Sequence, residues 1–507
     1  MKRRLILINI LILLITNVFL KGTTINIKDK VLYVNGTPFI IKGVCYSPIP
    51  VGKNESYQWE LDENIYNADF PLIKDMGANC IRTYRDMKYD GVLDAAYKYG
   101  LYVIMEYPVP WNTDYTNNTT RTQVLNGVRR MVEKWKSHPA LLMWCIGHEV
   151  NFNIHITNIN GTNTLLRDGT TTNRLKTWYP FLNEIAGKIH QWESPYWHPV
   201  TYGEGVSDAT NFGIWKEGSQ GGVNTLGNSV FYADDAHMNN LDIWGVQTYN
   251  GKGFSGGYFE EYSKLSKKPL WIAETGCDAY DAINHIENQE YQSEYIEAQW
   301  NEIYNNLTIR DRSKKCVGVT FFSWNDGWAK SSGSIYTHDT NATWKNPYYY
   351  DYQIGKNNMN EEWWGITSIF PGTYEKTPRK AYYTLQSFWK KGDKENNSVT
   401  NILFKKKSVN IPNPFNPGNE EYTDIFVYLN YSCNVSIKIF DYAGNLIKDV
   451  PNIYEYSGHI YRGRWDGTDE NSNIVKSGLY LCRIDATYTI NDSSQEEIQY
   501  IKIVVIR

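Results

Sequence analysis

Between Phe39 and Ser323 the sequence alternates repeatedly between short apolar runs and longer segments of helical hydrophobic period. No other feature restricts the fold as much. A strand, an amphipathic helix and another strand bury their apolar faces together when the strands lie parallel and the helix covers the sheet. The expected strands are Phe39–Cys45, Cys80–Tyr84, Tyr102–Glu106, Leu141–Ile146, Pro199–Tyr202, Ile243–Thr248, Pro269–Ala273 and Val317–Ser323. Helices are expected at Ile65–Met76, Val92–Tyr99, Thr122–Lys136, Leu175–Gln191 and Asn288–Asn305. In the third of these, Val124, Val128, Met131, Val132 and Trp135 recur on one face, the period of a helix lying on a sheet. Leu141–Ile146 is an unbroken apolar run (LLMWCI), as a parallel strand buried on both faces requires. Eight such strands predict an α/β chain closed into a (β/α)8 TIM barrel. The alternative is an open doubly wound sheet, but no glycine-rich phosphate loop follows the first strand. A small hairpin at Lys30–Pro38, turning at Asn35-Gly36, precedes it.

The pattern changes near residue 392. Residues 392–408 have the polar, charged character of a linker, and 409–507 carry only short alternating strands. Ile425, Val427 and Leu429, then Val435, Ile437 and Ile439, alternate as half-buried strands do, with turns at Gly444-Asn445 and Trp465-Asp466-Gly467. A small all-β sandwich is expected there. At the other end, residues 1–22 join a basic start (Lys2, Arg3, Arg4) to a short apolar run. This is a secretory signal pattern and predicts a secreted or cell-surface protein. The barrel is therefore assigned to residues 23–391. Seven cysteines at irregular spacing form neither a disulfide framework nor a zinc motif and are expected to be core thiols.

A net charge of −4 argues against nucleic acid as a partner. Aromatic residues make up 15% of the chain, with 18 Trp and 40 Tyr. Rings fill cores first, and they also stack on sugar faces. In a closed barrel, chemistry sits at the C-terminal ends of the strands. There the sequence places Tyr46 after strand one, Arg82 and Tyr84 on strand two, Glu106 and Tyr107 on strand three with Trp111 beyond, and His148 and Glu149 after strand four. Gln247 and Tyr249 end strand six, Glu274 strand seven and Trp324 strand eight. Carboxylates mixed with aromatic rings suit an oligosaccharide or polysaccharide substrate. Glu149 and Glu274 share one rim, as a retaining hydrolase requires: one carboxylate attacks the anomeric carbon and the other protonates the leaving oxygen. No cofactor is expected. The acidic run Asp234, Asp235, His237 lacks ligand spacing for a metal.

The segments IKGVCYSP (41–48), LIKDMGANCIRTY (72–84), HPALLMWCIGHEVN (138–151), WGVQTYN (244–250), PLWIAETG (269–276) and PRKAYYTLQSFW (378–389) together resemble the barrel domain of glycoside hydrolase clan A. They look closest to family 2 catalytic domains and the related beta-glucanosyltransferases. The resemblance implies Glu149 as acid/base, Glu274 as nucleophile, Arg82 and Tyr249 as its supports, and Trp324 as a platform under the sugar. Tyr46, Trp111 and His148 complete the expected substrate-binding set. His148 departs from the clan, which usually has Asn before the acid/base to bind the 2-hydroxyl. The long segments 152–174, 204–241 and 327–363 would wall the cleft, with Trp215, Trp328, Trp344, Trp363 and Trp364 as candidate sugar platforms. Hydrolysis, transglycosylation on the same barrel, and sugar binding on a decayed barrel all remain open at this level. The tail resembles the flagellar-hook-assembly-type Ig-like domain of secreted bacterial enzymes, which implies contact with a cell surface or secretion machinery.

Overall fold

The computed structural model describes the chain from residue 23 onward. Outside the description lie 1–22, 112, 114, 154–155, 160–161, 166–168, 207–230, 255–256, 331–333, 370–373, 391–403, 405–407, 420, 430–432, 442, 458–459 and 491–492, with the side chains of 152–173, 455–457, 488–490 and 493–495. The signal-like segment, the linker up to residue 403 and Trp215 fall there. The chain divides into two compact units, Met1–Lys390 and Lys391–Arg507.

The first unit is built on eight parallel strands: β1 (Ile41–Cys45), β2 (Cys80–Arg82), β3 (Tyr102–Tyr107), β4 (Leu141–His148), β5 (Val200–Gly205), β6 (Trp244–Gln247), β7 (Leu270–Thr275) and β8 (Cys316–Phe321). They close into a barrel, each beside the next, with β8 returning to β1. Between or after them run α1 (Glu63–Asp75), α2 (Gly91–Lys98), α3 (Asn118–Trp135), α4 (Gly169–Glu193), α5 (Tyr258–Leu265), α6 (Gln289–Asn305) and α7 (Lys380–Trp389). Polar residues start several of these helices. Asp62 accepts from the Asn64 N–H, Asn117 from the N–H groups of Thr119 and Thr120, and Asn288 from that of Tyr291. Each satisfies a donor the first helical turn leaves unpaired. Helix α5 carries no long periodic pattern in the sequence and was not expected.

Strand alternation sorts the core into two shells. Ile41, Cys80, Ile104, Cys145, Trp271 and Ala273 pack with one another and with Ile25, Leu32 and Val34 of the N-terminal hairpin, inside the barrel. Val44, Ile81, Val103, Met105, Trp144, Val246 and Ile272 face the helices. The hairpin turns where expected, with φ of 52° at Asn35 and 76° at Gly36. All seven cysteines are buried and none is in a disulfide.

The second unit is a two-sheet sandwich. Its strands are β9 (Val409–Ile411), β10 (Thr423–Tyr428), β11 (Asn434–Phe440), β12 (Leu446–Asp449), β13 (Tyr454–Ser457), β14 (Ile460–Trp465), β15 (Gly478–Ile490) and β16 (Ser493–Val505). The sheets run β9-β10-β14-β13 and β12-β11-β15-β16. They enclose Ile425, Val427, Ile437, Ile439, Trp465, Cys482 and Ile484. Among the described residues no helix is long and apolar enough to cross a membrane.

A buried ionic network ties the end of α4 to the starts of β5 and β6. His190 meets Glu193 Oε1 and Asp242 Oδ2 at 3.0 Å each, and Glu193 Oε2 meets His198 Nδ1 at 2.9 Å and the Trp144 indole N–H at 3.1 Å. Burial disfavours the charge on His190, but hydrogen bonds to Asp242 and Glu193 outweigh it and raise its pKa from 6.5 to about 10. A raised folded-state pKa stabilises fully below pH 6.5, and that contribution is lost as pH climbs toward 10. His190→Gln is expected to cost about 2 kcal/mol of barrel stability at pH 6. The difference from the parent protein should shrink steadily above pH 6.5, as measured by urea unfolding followed by tryptophan fluorescence.

Candidate active site

The C-terminal ends of the barrel strands open into a cleft of about 1040 Å³, with His148, Glu149, Gln247 and Glu274 on its floor and walls. Each of these side chains reaches it for a local reason. On β2, Cys80 points inward and Ile81 outward, so alternation turns Arg82 in; on β3 it does the same for Glu106. Alternation fails for Glu274. With Trp271 and Ala273 facing inward, Glu274 should face the helices, but the pairing slips between Ile272 and Thr275 against β8. An irregularity of this kind re-aims the next side chain. On β4 the turn comes from the backbone: φ is +85° at Gly147 and +45° at Glu149. Such values favour glycine and are unusual for glutamate.

Arg82 lies at the centre and is fully buried. Its Nη1 donates to Glu274 Oε1 at 2.8 Å and its Nη2 to Glu106 Oε2 at 2.8 Å. Gly203 leaves it room: a Cβ there would stand 2.8 Å from Gln247 Nε2 and 3.0 Å from Arg82 Nη2. Three further donors reach Glu274: Tyr84 Oη to Oε1 at 2.6 Å, Gln247 Nε2 to Oε1 at 3.2 Å and Tyr249 Oη to Oε2 at 2.8 Å. Burial alone would raise the pKa of Glu274, but Arg82, His148 and the two phenols outweigh it and hold it below 4.5. Glu149 moves the other way. Burial, reinforced by the charge of Glu274, lifts it from 4.5 to about 6 against the pull of His148, Arg82 and Lys330. One cleft thus holds an ionised carboxylate and a carboxyl that keeps its proton to higher pH.

Aromatic rings form the far wall. The rings of Trp344 and Trp364 stack with centroids 6.3 Å apart and planes 6° from parallel, with Tyr249 edge-on to both. The Trp344 indole N–H donates to Glu361 Oε1 at 2.5 Å, and Lys330 Nζ sits 3.1 Å from Glu361 Oε2 and 4.3 Å from the Phe322 ring centroid.

Of the expected site residues, Glu149, Glu274, His148 and Tyr249 line the cleft, and Arg82 supports it from below. Three do not line it. Tyr46 is fully buried, its hydroxyl on Asp69 Oδ2 at 3.0 Å and its ring against Trp59. Trp324 is fully buried near Tyr382. Strand β8 ends at Phe321, so the inward-facing aromatic is Phe322, two positions earlier than expected. Trp111 is 37% exposed and lies outside the cleft lining. Among the candidate platforms, Trp344 and Trp364 meet the cleft, whereas Trp328 and Trp363 sandwich His338. Asp234 and Asp235 cap local turns through Ala236, His237 and Lys267. Sequence reasoning missed Tyr84 and Gln247 as groups acting on Glu274. Both stand at strand ends, which was the available signal. Lys330 and Glu361 come from a loop and had none.

Residues 25–168, which carry Arg82, Glu106 and Glu149 but stop before Glu274, match the glycosyl hydrolases family 2 TIM barrel domain. Beta-glucuronidase of Mus musculus is 28% identical over 313 residues, covering 60% of this chain and 41% of that protein. The 1,3-beta-glucanosyltransferase GAS4 of Saccharomyces cerevisiae is 25% identical over 298 residues, covering 53% of this chain and 56% of that protein. The chain spans about half the length of these relatives. A crystal structure of Bacteroides uniformis beta-glucuronidase aligns with a TM-score of 0.48 at 15% identity, covering 96% of this chain and 48% of that one.

Replacing Tyr84 by Phe removes the shortest bond to Glu274 and should raise the pH at which Glu274 protonates by about half a unit to one unit. The shift is read from the carboxyl 13C signal lost in a Glu274→Gln variant. An unmoved signal would show that the phenol does not help hold the carboxylate ionised.

Proposed function

We propose that this protein is a retaining β-glycosidase, with Glu274 as nucleophile and Glu149 as acid/base. The observation that carries the reading is the opposed displacement of two carboxyls in one aromatic cleft: Glu274 below 4.5, Glu149 at about 6. In the first step a Glu274 oxygen attacks the anomeric carbon while Glu149 passes its proton to the departing oxygen, leaving a glycosyl ester on Glu274. In the second, Glu149, now ionised, takes a proton from water as that water displaces Glu274 and releases the sugar. Arg82, Tyr84 and Tyr249 keep Glu274 charged and aimed. Trp344 and Trp364 offer apolar faces to the sugar rings. The family 2 match and the homologous beta-glucuronidases support a glycoside substrate. Uronides head the substrates to screen.

Glu149 must hold its proton to act first as an acid, so kcat/KM should fall as pH rises through about 6; the acid limb should lie below 4.5, where Glu274 protonates. Glu274→Gln should lose about 10^4-fold or more in kcat. A 2-deoxy-2-fluoro aryl glycoside should leave its sugar on the Glu274 peptide, detected by mass spectrometry. Sugar binding without any label across a panel of glycosides would instead indicate a binding protein on a barrel of this kind.

We also read residues 1–22 as an export signal and the C-terminal sandwich as an attachment module. Cell fractionation of the full chain, compared with one ending at Lys390, tests this; identical distribution of the two forms counts against the attachment role.

A further inference from the structure

The loop after β1 separates the active-site cleft from a second cavity. Ser47, Ile49 and Glu55 line the cleft, whereas Lys53, Ser56 and Tyr57 of the same loop line an open groove of about 980 Å³. The loop after β8 is divided in the same way, with Lys330 in the cleft and Ile335 in the groove. Two clasps hold this partition. Arg85, itself in the cleft lining, donates from Nη1 to the Tyr57 carbonyl at 3.3 Å and from Nη2 to the Glu55 carbonyl at 3.2 Å. The Gly52 N–H donates to the Ile335 carbonyl at 2.8 Å. Gly52 has a φ of +81°, and a Cβ on it would stand 2.7 Å from Tyr336 Cε1, so the Tyr336 ring rests on bare backbone. That ring is nonetheless 67% exposed, and Leu61 in the groove lining is 51% exposed. A ring held in place yet open to water is a preformed platform, with little freedom left to lose when a ligand covers it.

We propose that this groove binds the retained side of a β-linked oligosaccharide, so that the protein acts on chains of three or more sugars and not only on terminal ones. The proposal rests on the glycosidase reading of the cleft. Its direction follows from the barrel. β4 and β8 are four strands apart whichever way the closed barrel is counted, so the loop after β8 stands across the cleft from Glu149. With Glu149 as the acid, the departing oxygen points toward β4. The part of the chain held on Glu274 then runs the opposite way, over the β1 loop and into the groove. The lining suits such a chain. Beside the exposed ring and Leu61 stand the uncharged groups of Asn54, Ser56 and Gln58, which match sugar hydroxyls as donors and acceptors. Asn54 Oδ1 already accepts from the Ser56 hydroxyl at 2.6 Å, so its amide N–H groups are what it offers. Asp62 is committed to the Tyr57 phenol at 3.2 Å and to the first turn of α1.

The test compares aryl β-glycosides of one, two and three sugars that share one leaving group, in β-1,3- and β-1,4-linked gluco and manno series, on the full chain. Each added sugar lengthens only the retained side. In at least one series kcat/KM should rise about tenfold from one sugar to three, the worth of one stacked ring. Tyr336→Ala should remove most of that rise, and Tyr336→Phe, which keeps the ring, should preserve it. Taking the three-sugar to one-sugar ratio within each enzyme cancels any difference in the amount of active protein. No rise in any series, or an equal rise in the parent and Tyr336→Ala, overturns the proposal. The outcome is separable from that of the cleft itself. Failure of every 2-deoxy-2-fluoro glycoside to label Glu274 sinks the glycosidase reading, whereas labelling together with rates indifferent to chain length sinks only this inference.

Discussion

The site depends on one buried cation. Arg82 has no exposure, so its charge persists only because two carboxylates and a ring nitrogen surround it. Removing one partner of such a buried pair leaves an uncompensated charge in a poorly polarisable interior, which costs several kcal/mol. The carboxylates of Glu106 and Glu274 therefore contribute to the stability of the barrel as well as to the electrostatics of the cleft. The same cation holds Glu274 ionised. Gly203 belongs to this constraint, because a side chain there would press on both Arg82 and Gln247.

Much of this was legible before any coordinates. Alternating βα units gave the barrel, and the barrel rule pointed to strand ends, where Arg82, His148, Glu149, Tyr249 and Glu274 stand. The failures share a cause. A strand end tells which residues are near the rim but not which way they point once the pairing stops. Tyr46 and Trp324 lie just beyond β1 and β8, and their rings turn back into the packing around Asp69 and Tyr382. Phe322, which sequence reasoning did not single out, lines the cleft instead of Trp324. Trp111 follows a longer excursion and stays outside the lining.

Glu274 shows the same limit from the other side. Strict alternation would have hidden it behind the barrel, and only the slip in pairing between Ile272 and Thr275 brings it inward. Sequence carries no clear mark of such a slip, because it reflects how neighbouring strands fit rather than the residues of β7 alone. The positive φ of Glu149 is similar: glutamate has no preference for that region, so the conformation is imposed by β4, β5 and the hydrogen bond from the Glu149 N–H to the Gly203 carbonyl at 2.8 Å.

The two carboxyls differ because the donors are unevenly shared. Arg82, Tyr84, Gln247 and Tyr249 all bond Glu274, and their combined pull exceeds the penalty of burial. Glu149, on the strand end across the cleft, is half-buried and lacks that set of donors, and the negative charge retained by Glu274 adds to its difficulty in ionising. The asymmetry sustains itself: the more firmly Glu274 is held as an anion, the more firmly Glu149 keeps its proton. A substrate that displaces water from the cleft would strengthen both effects, since each interaction grows as the local dielectric falls.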